Sequence, residues 1–114
     1  MAKKNVSRCS IPVRNGKNEL YVKIKNNTAA QKARKLAMKA YDKDSAEKES
    51  LPIYLNDKLI KSDILKYGED KVYKIDVSNV SRKVVFEATQ FSGGKGLSVS
   101  SKNRGFINAE IGIK

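Results

Sequence analysis

The chain has no histidine and a single cysteine, Cys9. A Ser-His-Asp or Cys-His nucleophile therefore cannot be assembled, nor can a histidine-liganded zinc or an internal disulfide. Catalysis would fall to carboxylates, lysine or tyrosine, and no spacing among the twelve acids singles out a working pair. Cys9 reads as a half-buried small hydrophobe on a strand. We expect no enzyme, no metal site and no cofactor. Gly93-Gly94-Lys95-Gly96 has the composition of a phosphate loop but not its grammar, because Gly96 stands where a nucleotide loop needs Ser or Thr and a strand pattern follows. It reads as an inter-strand loop, and with Lys95, Lys102 and Arg104 on or near it, as a candidate binding element.

The chemistry left to this chain is the attraction of lysine and arginine for anions. Its 24 Lys and Arg against 12 Asp and Glu give a net charge of +12, with a pI near 9.9. The charge is uneven: residues 1–43 hold +10 and residues 44–114 hold +2. Such a concentration points to a basic surface facing a polyanion, either nucleic acid or a nucleoprotein complex. Phosphates need only approximate placement of Lys and Arg, so the pattern implies affinity without sequence reading. There is no tryptophan, with five Tyr and three Phe, which argues against a binder built on stacking platforms. No helix-turn-helix, zinc finger or aromatic RNA-binding signature is present.

Those charges must be positioned by a small fold. Residues 6–25 read as a hairpin turning at Asn15-Gly16. Leu20, Val22 and Ile24 alternate with Tyr21, Lys23 and Lys25, and Pro12 marks the first arm as an edge strand. If both arms turn the same way, Arg8, Arg14, Tyr21, Lys23 and Lys25 share one solvent face. The run NNTAAQKARKLAMKAY then predicts a basic α-helix over about residues 28–43, opened by a Thr28–Gln31 capping box. At helical spacing Ala29, Ala33, Leu36, Ala37 and Ala40 form a buried stripe, and Lys32, Lys35, Lys39 and Lys43 form a second one beside it. Arg34 adds to the basic set. Residues 44–50 read as a polar linker.

From Leu51 onward the pattern is β. LPIYL and KLIKSDIL flank an Asn56-Asp57 turn, and Tyr73, Ile75 and Val77 share a face in VYKIDV. Val84, Phe86 and Ala88 oppose Glu87 and Thr89, while Ile107, Ala109, Ile111 and Ile113 alternate in the last strand. The runs IYLNDKLIKSDIL, KVYKIDVSNVSRKVVFEA and INAEIGI resemble the novel carbohydrate-binding module family, a galactose-binding-like β-sandwich. Asn56-Asp57-Lys58 matches its strand-connecting turn, Asp76-Val77-Ser78-Asn79-Val80 its middle element and Ala109-Glu110-Ile111 its closing strand. Where the family has Asp-His-Ala-x-Trp, this chain has Arg104-Gly105-Phe106-Ile107-Asn108. The resemblance spans about 60 residues and implies a sandwich fold with sugar binding as its associated activity.

The expected fold is mainly β (α+β): a single domain of 114 residues, an antiparallel β-sandwich or jelly-roll-like domain with one inserted basic helix. The expected function is non-enzymatic binding of nucleic acid or a nucleoprotein. An accessory protein of a phage or mobile element fits this description, for example an inhibitor docking on a host defence nuclease. The alternative is a carbohydrate-binding or virion-structural sandwich. No run of about 18 apolar residues exists to span a bilayer, and Met1–Ser10 lacks an apolar signal core. The expected location is the cytoplasm.

Overall fold

Period-two alternation builds almost every element of the chain. In the computed structural model, residues 5–13, 18–27, 31–90, 97–100 and 107–113 are described. They form ten strands: β1 (Asn5–Pro12), β2 (Glu19–Asn26), β3 (Arg34–Asp42), β4 (Ile53–Leu55), β5 (Lys58–Leu59), β6 (Ser62–Leu65), β7 (Asp70–Asp76), β8 (Lys83–Gln90), β9 (Leu97–Ser100) and β10 (Ala109–Ile113). A four-stranded sheet, in the order β1-β8-β3-β6, packs on a six-stranded sheet in the order β5-β4-β7-β2-β10-β9. One hydrophobic cluster joins their inner faces. Ile11, Leu36, Leu65, Val84 and Phe86 come from the four-stranded sheet, and Leu20, Ile24, Tyr73, Ile75 and Ile113 from the other. The alternations at Leu20–Ile24, Tyr73–Val77, Val84–Ala88 and Ile107–Ile113 all bury their expected faces.

The expected helix is absent: among the described residues there is none. Residues 34–42 are instead the interior strand β3, paired antiparallel with β8 and β6. Gln31 has φ of 55°, a left-handed conformation incompatible with the first turn of a helix, so the capping box cannot close. Of the alanines that suggested a helix, Ala37 and Ala40 belong to the sheet, and Ala29 lies outside the described residues. Ala40 lies opposite Phe86 and Met38 opposite Ala88, so small and large side chains alternate across the inner face. Helix propensity is worth a fraction of a kcal/mol per residue, and two flanking strands with a core outweigh it.

The first hairpin is also absent. β1 pairs with β8, whereas β2 lies in the other sheet between β7 and β10. β1 and β2 therefore stand in different sheets, and the expected Asn15-Gly16 turn lies outside the described residues. The basic first third is thus woven into both sheets. The sandwich is not wholly antiparallel either, because β2 and β10 run parallel. Two other expectations hold. β1, with its Pro12, is an edge strand, and Asn56 and Asp57 have φ of 51° and 66°, the doubly left-handed turn that suits a two-residue hairpin. KLIKSDIL is split at Ile60-Lys61, with β5 in one sheet and β6 in the other.

Two polar groups fasten the sheets to each other. The buried Asn26, at the end of β2, donates its Nδ2 to the carbonyls of Lys32 and Leu65, at 2.9 and 2.8 Å. Asp63 on β6 accepts from the Tyr73 hydroxyl at 2.8 Å and from Lys71 Nζ at 3.0 Å, both on β7. Burial pushes the Asp63 carboxyl up, but hydrogen bonds from Tyr73, Lys71 and the Ile64 amide outweigh it and hold the group below its ordinary value. Burial first, and then Asp63, push Tyr73 upward. The buried Gln90 has no such arrangement: neither its Nε2 nor its Oε1 finds a partner among the described residues.

Candidate polyanion-binding face

Cross-strand register decides which basic residues meet. On the outer face of the four-stranded sheet, Arg8, Glu87 and Lys39 lie in one row across β1, β8 and β3. Arg8 Nε contacts Glu87 Oε2 at 2.9 Å, through a guanidinium that remains largely exposed. The neighbouring row is Ser10, Val85 and Tyr41, and the next brings Pro12 to Lys83. Tyr41 is buried beneath two cations, with Lys39 Nζ at 5.7 Å and Lys48 Nζ at 5.9 Å from its ring centroid. Such contacts hold the ammonium groups in place without neutralising them. At the other end of β3, Lys35 lies opposite Ile64 of β6, which is more than half exposed.

This face therefore presents Arg8, Lys35, Lys39, Lys48 and Lys83 against one strand carboxylate, Glu87. Lys43 follows at the end of β3 and donates its amide to the Lys83 carbonyl at 3.1 Å. Lys35, Lys39 and Lys83 are exposed and make no ion pair among the described residues. Lys35 and Lys39 are four residues apart on an extended strand, or about 13 Å.

The outer face of the six-stranded sheet is different. Glu19, Tyr21, Lys23 and Lys25 of β2 lie opposite Asp76, Lys74, Val72 and Asp70 of β7, with Glu110 of β10 beside Lys23. Lys23 reaches Asp70 at 3.5 Å, and Lys74 reaches Glu19 at 3.4 Å and Asp57 at 3.7 Å. Glu19 first, with Asp57 adding to it, raises the Lys74 ammonium above its ordinary value. Lys74 also stands 5.4 Å from the Tyr54 ring centroid. A shallow hollow of about 310 Å³ opens between Tyr21 and Tyr54, floored by Val72 and Lys74.

The basic residues singled out in the sequence thus divide. Arg8, Lys35, Lys39 and Lys43 belong to the four-stranded face. Tyr21, Lys23 and Lys25 lie on the opposite side of the molecule among carboxylates. Lys32 sits on the exposed segment before β3. Arg34 is half-buried at the start of β3, its Nε enclosed and without a partner. Arg14, Lys95, Lys102 and Arg104 lie outside the described residues. Sequence reasoning missed Lys83 and Lys48. Lys83 was readable, since it shares the parity of Glu87 and Thr89 in KVVFEATQ. Lys48 carries no such signal, because a loop alone brings it over Tyr41.

Cys9 is half-buried on β1 and packs against the core, and burial raises its thiol above the ordinary value, which makes it a poor nucleophile. Among the described residues no helix is long and apolar enough to cross a membrane. No group of three acidic or thiol side chains there could hold a metal ion. No family model, curated protein or solved structure matches the chain.

Proposed function

We propose that the chain is a non-enzymatic binding protein that grips the phosphates of a nucleic acid with the outer face of its four-stranded sheet. The observation that carries this reading is a contrast in neutralisation among the described residues: Lys35, Lys39 and Lys83 make no ion pair, while Lys23 and Lys74 of the opposite face are held by carboxylates. Unneutralised cations on a flat sheet release counterions when phosphates replace them, a source of affinity that needs no base reading. Tyr41 beneath Lys39 and Lys48 keeps part of this charge in a fixed place.

The test is a salt titration of binding to a fluorescent 20-base-pair duplex. Three to four phosphate contacts give a log–log slope of about −3, from the general value of about −0.9 per phosphate. A flat salt response, or no binding at low salt, would overturn the reading.

The hollow between Tyr21 and Tyr54 favours a second reading, a neutral glycan site on the six-stranded face. Two tyrosines beside Asn56 and Asp57 offer apolar area and hydrogen-bonding groups together. Binding there would be nearly indifferent to salt and would saturate with an uncharged oligosaccharide.

A further inference from the structure

Beside the basic face, the edge of β3 has an apolar opening that phosphate binding does not use. β6 covers only residues 34–37 of β3. Further along, Met38 donates its amide to the Lys61 carbonyl at 2.8 Å, and Leu51 donates to the Ala40 carbonyl at 2.7 Å. Between these two bonds lies a cavity of about 500 Å³, walled by Met38, Leu51, Pro52, Leu59 and Ile60 and flanked by Lys39 and Lys61. Leu59 at its side is 62% exposed. Covering a leucine of this kind removes apolar area from water and favours an apolar occupant.

We propose that this cavity receives one unstacked nucleobase of a single strand, with Lys39 and Lys61 holding the adjoining phosphates. The inference rests on the phosphate-binding reading of the face and adds the kind of nucleic acid it takes. A nucleotide joins a flat, weakly hydrated ring to an anion one sugar away, and this cavity has aliphatic walls with two lysines in its lining. Its volume is within the usual range for small-ligand sites. A base inside a duplex cannot enter, so the strand crossing this edge must be single or opened. An extended peptide finds only a short edge here, because strand addition needs a run of free backbone groups. Here the Met38 amide and the Ala40 carbonyl are already used by Lys61 and Leu51. Lys39 belongs both to the cavity and to the basic face, so one strand can occupy the two without a break.

The experiment compares a 12-nucleotide oligothymidylate with a 12-base-pair duplex, by fluorescence anisotropy, on the full chain and on Leu59→Ser. The substitution changes no charge and sits at a mostly exposed position. A circular dichroism melt checks that the fold is kept. Leu59→Ser is expected to weaken the single strand about tenfold, leave duplex affinity within about twofold and leave the salt slope unchanged. Thymidine monophosphate should also shift the amide resonances of Leu51, Leu59 and Ile60. Equal effects on both probes, or those resonances answering only to an acidic tryptophan-bearing peptide, would overturn the base site while the phosphate-binding face stands. Failure of wild type to bind either probe at low salt would remove both.

Discussion

On the six-stranded sheet, Lys23 reaches Asp70 and Lys74 reaches Glu19 and Asp57. On the four-stranded sheet, Arg8 takes Glu87, and Lys35, Lys39 and Lys83 make no ion pair among the described residues. Both faces are built from lysine-bearing strands, and both include tyrosine. What separates them is the residue across the ladder. β7 and β10 set Asp70 and Glu110 beside Lys25 and Lys23, whereas β8 offers β3 only Glu87, already held by Arg8. Lysine content therefore says little about a sheet surface until register supplies the neighbours.

The sharpest way to break this comparison is to reverse three lysines on each face. Lys35→Glu, Lys39→Glu and Lys83→Glu together are expected to lower affinity for a duplex probe by two orders of magnitude or more, since lost contacts and new repulsion act together. Lys23→Glu, Lys25→Glu and Lys74→Glu should change it by less than about fivefold. Equal losses from the two triples, read by anisotropy at one salt concentration, would mean that net charge rather than a face drives binding.

A second variant leaves the faces intact and loosens what lies between them. Asp63→Ala leaves the enclosed Tyr73 hydroxyl unpaired and removes one partner of Lys71, which keeps the Ile64 carbonyl and Glu69, a cost of about 2 kcal/mol on general hydrogen-bond energetics. Denaturant unfolding should show that loss, with phosphate affinity at low temperature unchanged. The same cluster fixes a pH window. Asp63 is held below its ordinary value, so its contribution is full above the unfolded pKa and fades as pH falls below about 4. Tyr73 is held above its own, so its contribution is full below the unfolded pKa and fades as pH rises past about 10. Urea midpoints measured across pH should be flat between these limits in this respect, and Asp63→Ala should lose the acid limb contributed by Asp63.

Giving the quiet face a charge is a milder test. Asp70→Lys with Glu110→Lys removes two carboxylates beside Lys23 and Lys25, and a weak second duplex site is expected, about tenfold poorer than the first. Smallest of all is Gln90→Met. Replacing an enclosed, unpartnered amide by an apolar group of similar volume should raise stability by about 1 kcal/mol and leave binding untouched.

How much of this was legible in the sequence depends on which periodicity spoke. The strands from Leu51 onward were readable because Tyr73, Ile75 and Val77, or Val84, Phe86 and Ala88, alternate strictly. RKLAMKAYD was ambiguous. Leu36, Met38 and Ala40 alternate as a strand should, yet Lys35, Lys39 and Lys43 are spaced by four, which places them together on a helix and on a strand alike. Alanine content then tipped the reading towards a helix, and only the facing Phe86 and Ala88 of β8 decide against it. Lys35, Lys39 and Lys43 keep one side of the chain because an interval of four is even, whereas Lys32, three residues before Lys35, precedes the strand. The split of Arg8 from Lys23 and Lys25 was not legible, because nothing local reports that β1 and β2 join different sheets.

The parallel pairing of β2 with β10 has a bearing on how the molecule comes to exist. Residues 22–26 must wait for residues 109–113, so a chain leaving the ribosome holds β2 with one edge unmatched while most of the sequence is still being made. Pairings so distant along the chain carry a large loop-closure cost and fold slowly. During that wait Lys23 and Lys25 stand on the open strand, where charged side chains discourage neighbouring chains from adding to it. The charge on these two positions therefore bears on the sheet while it is incomplete as well as on its finished surface.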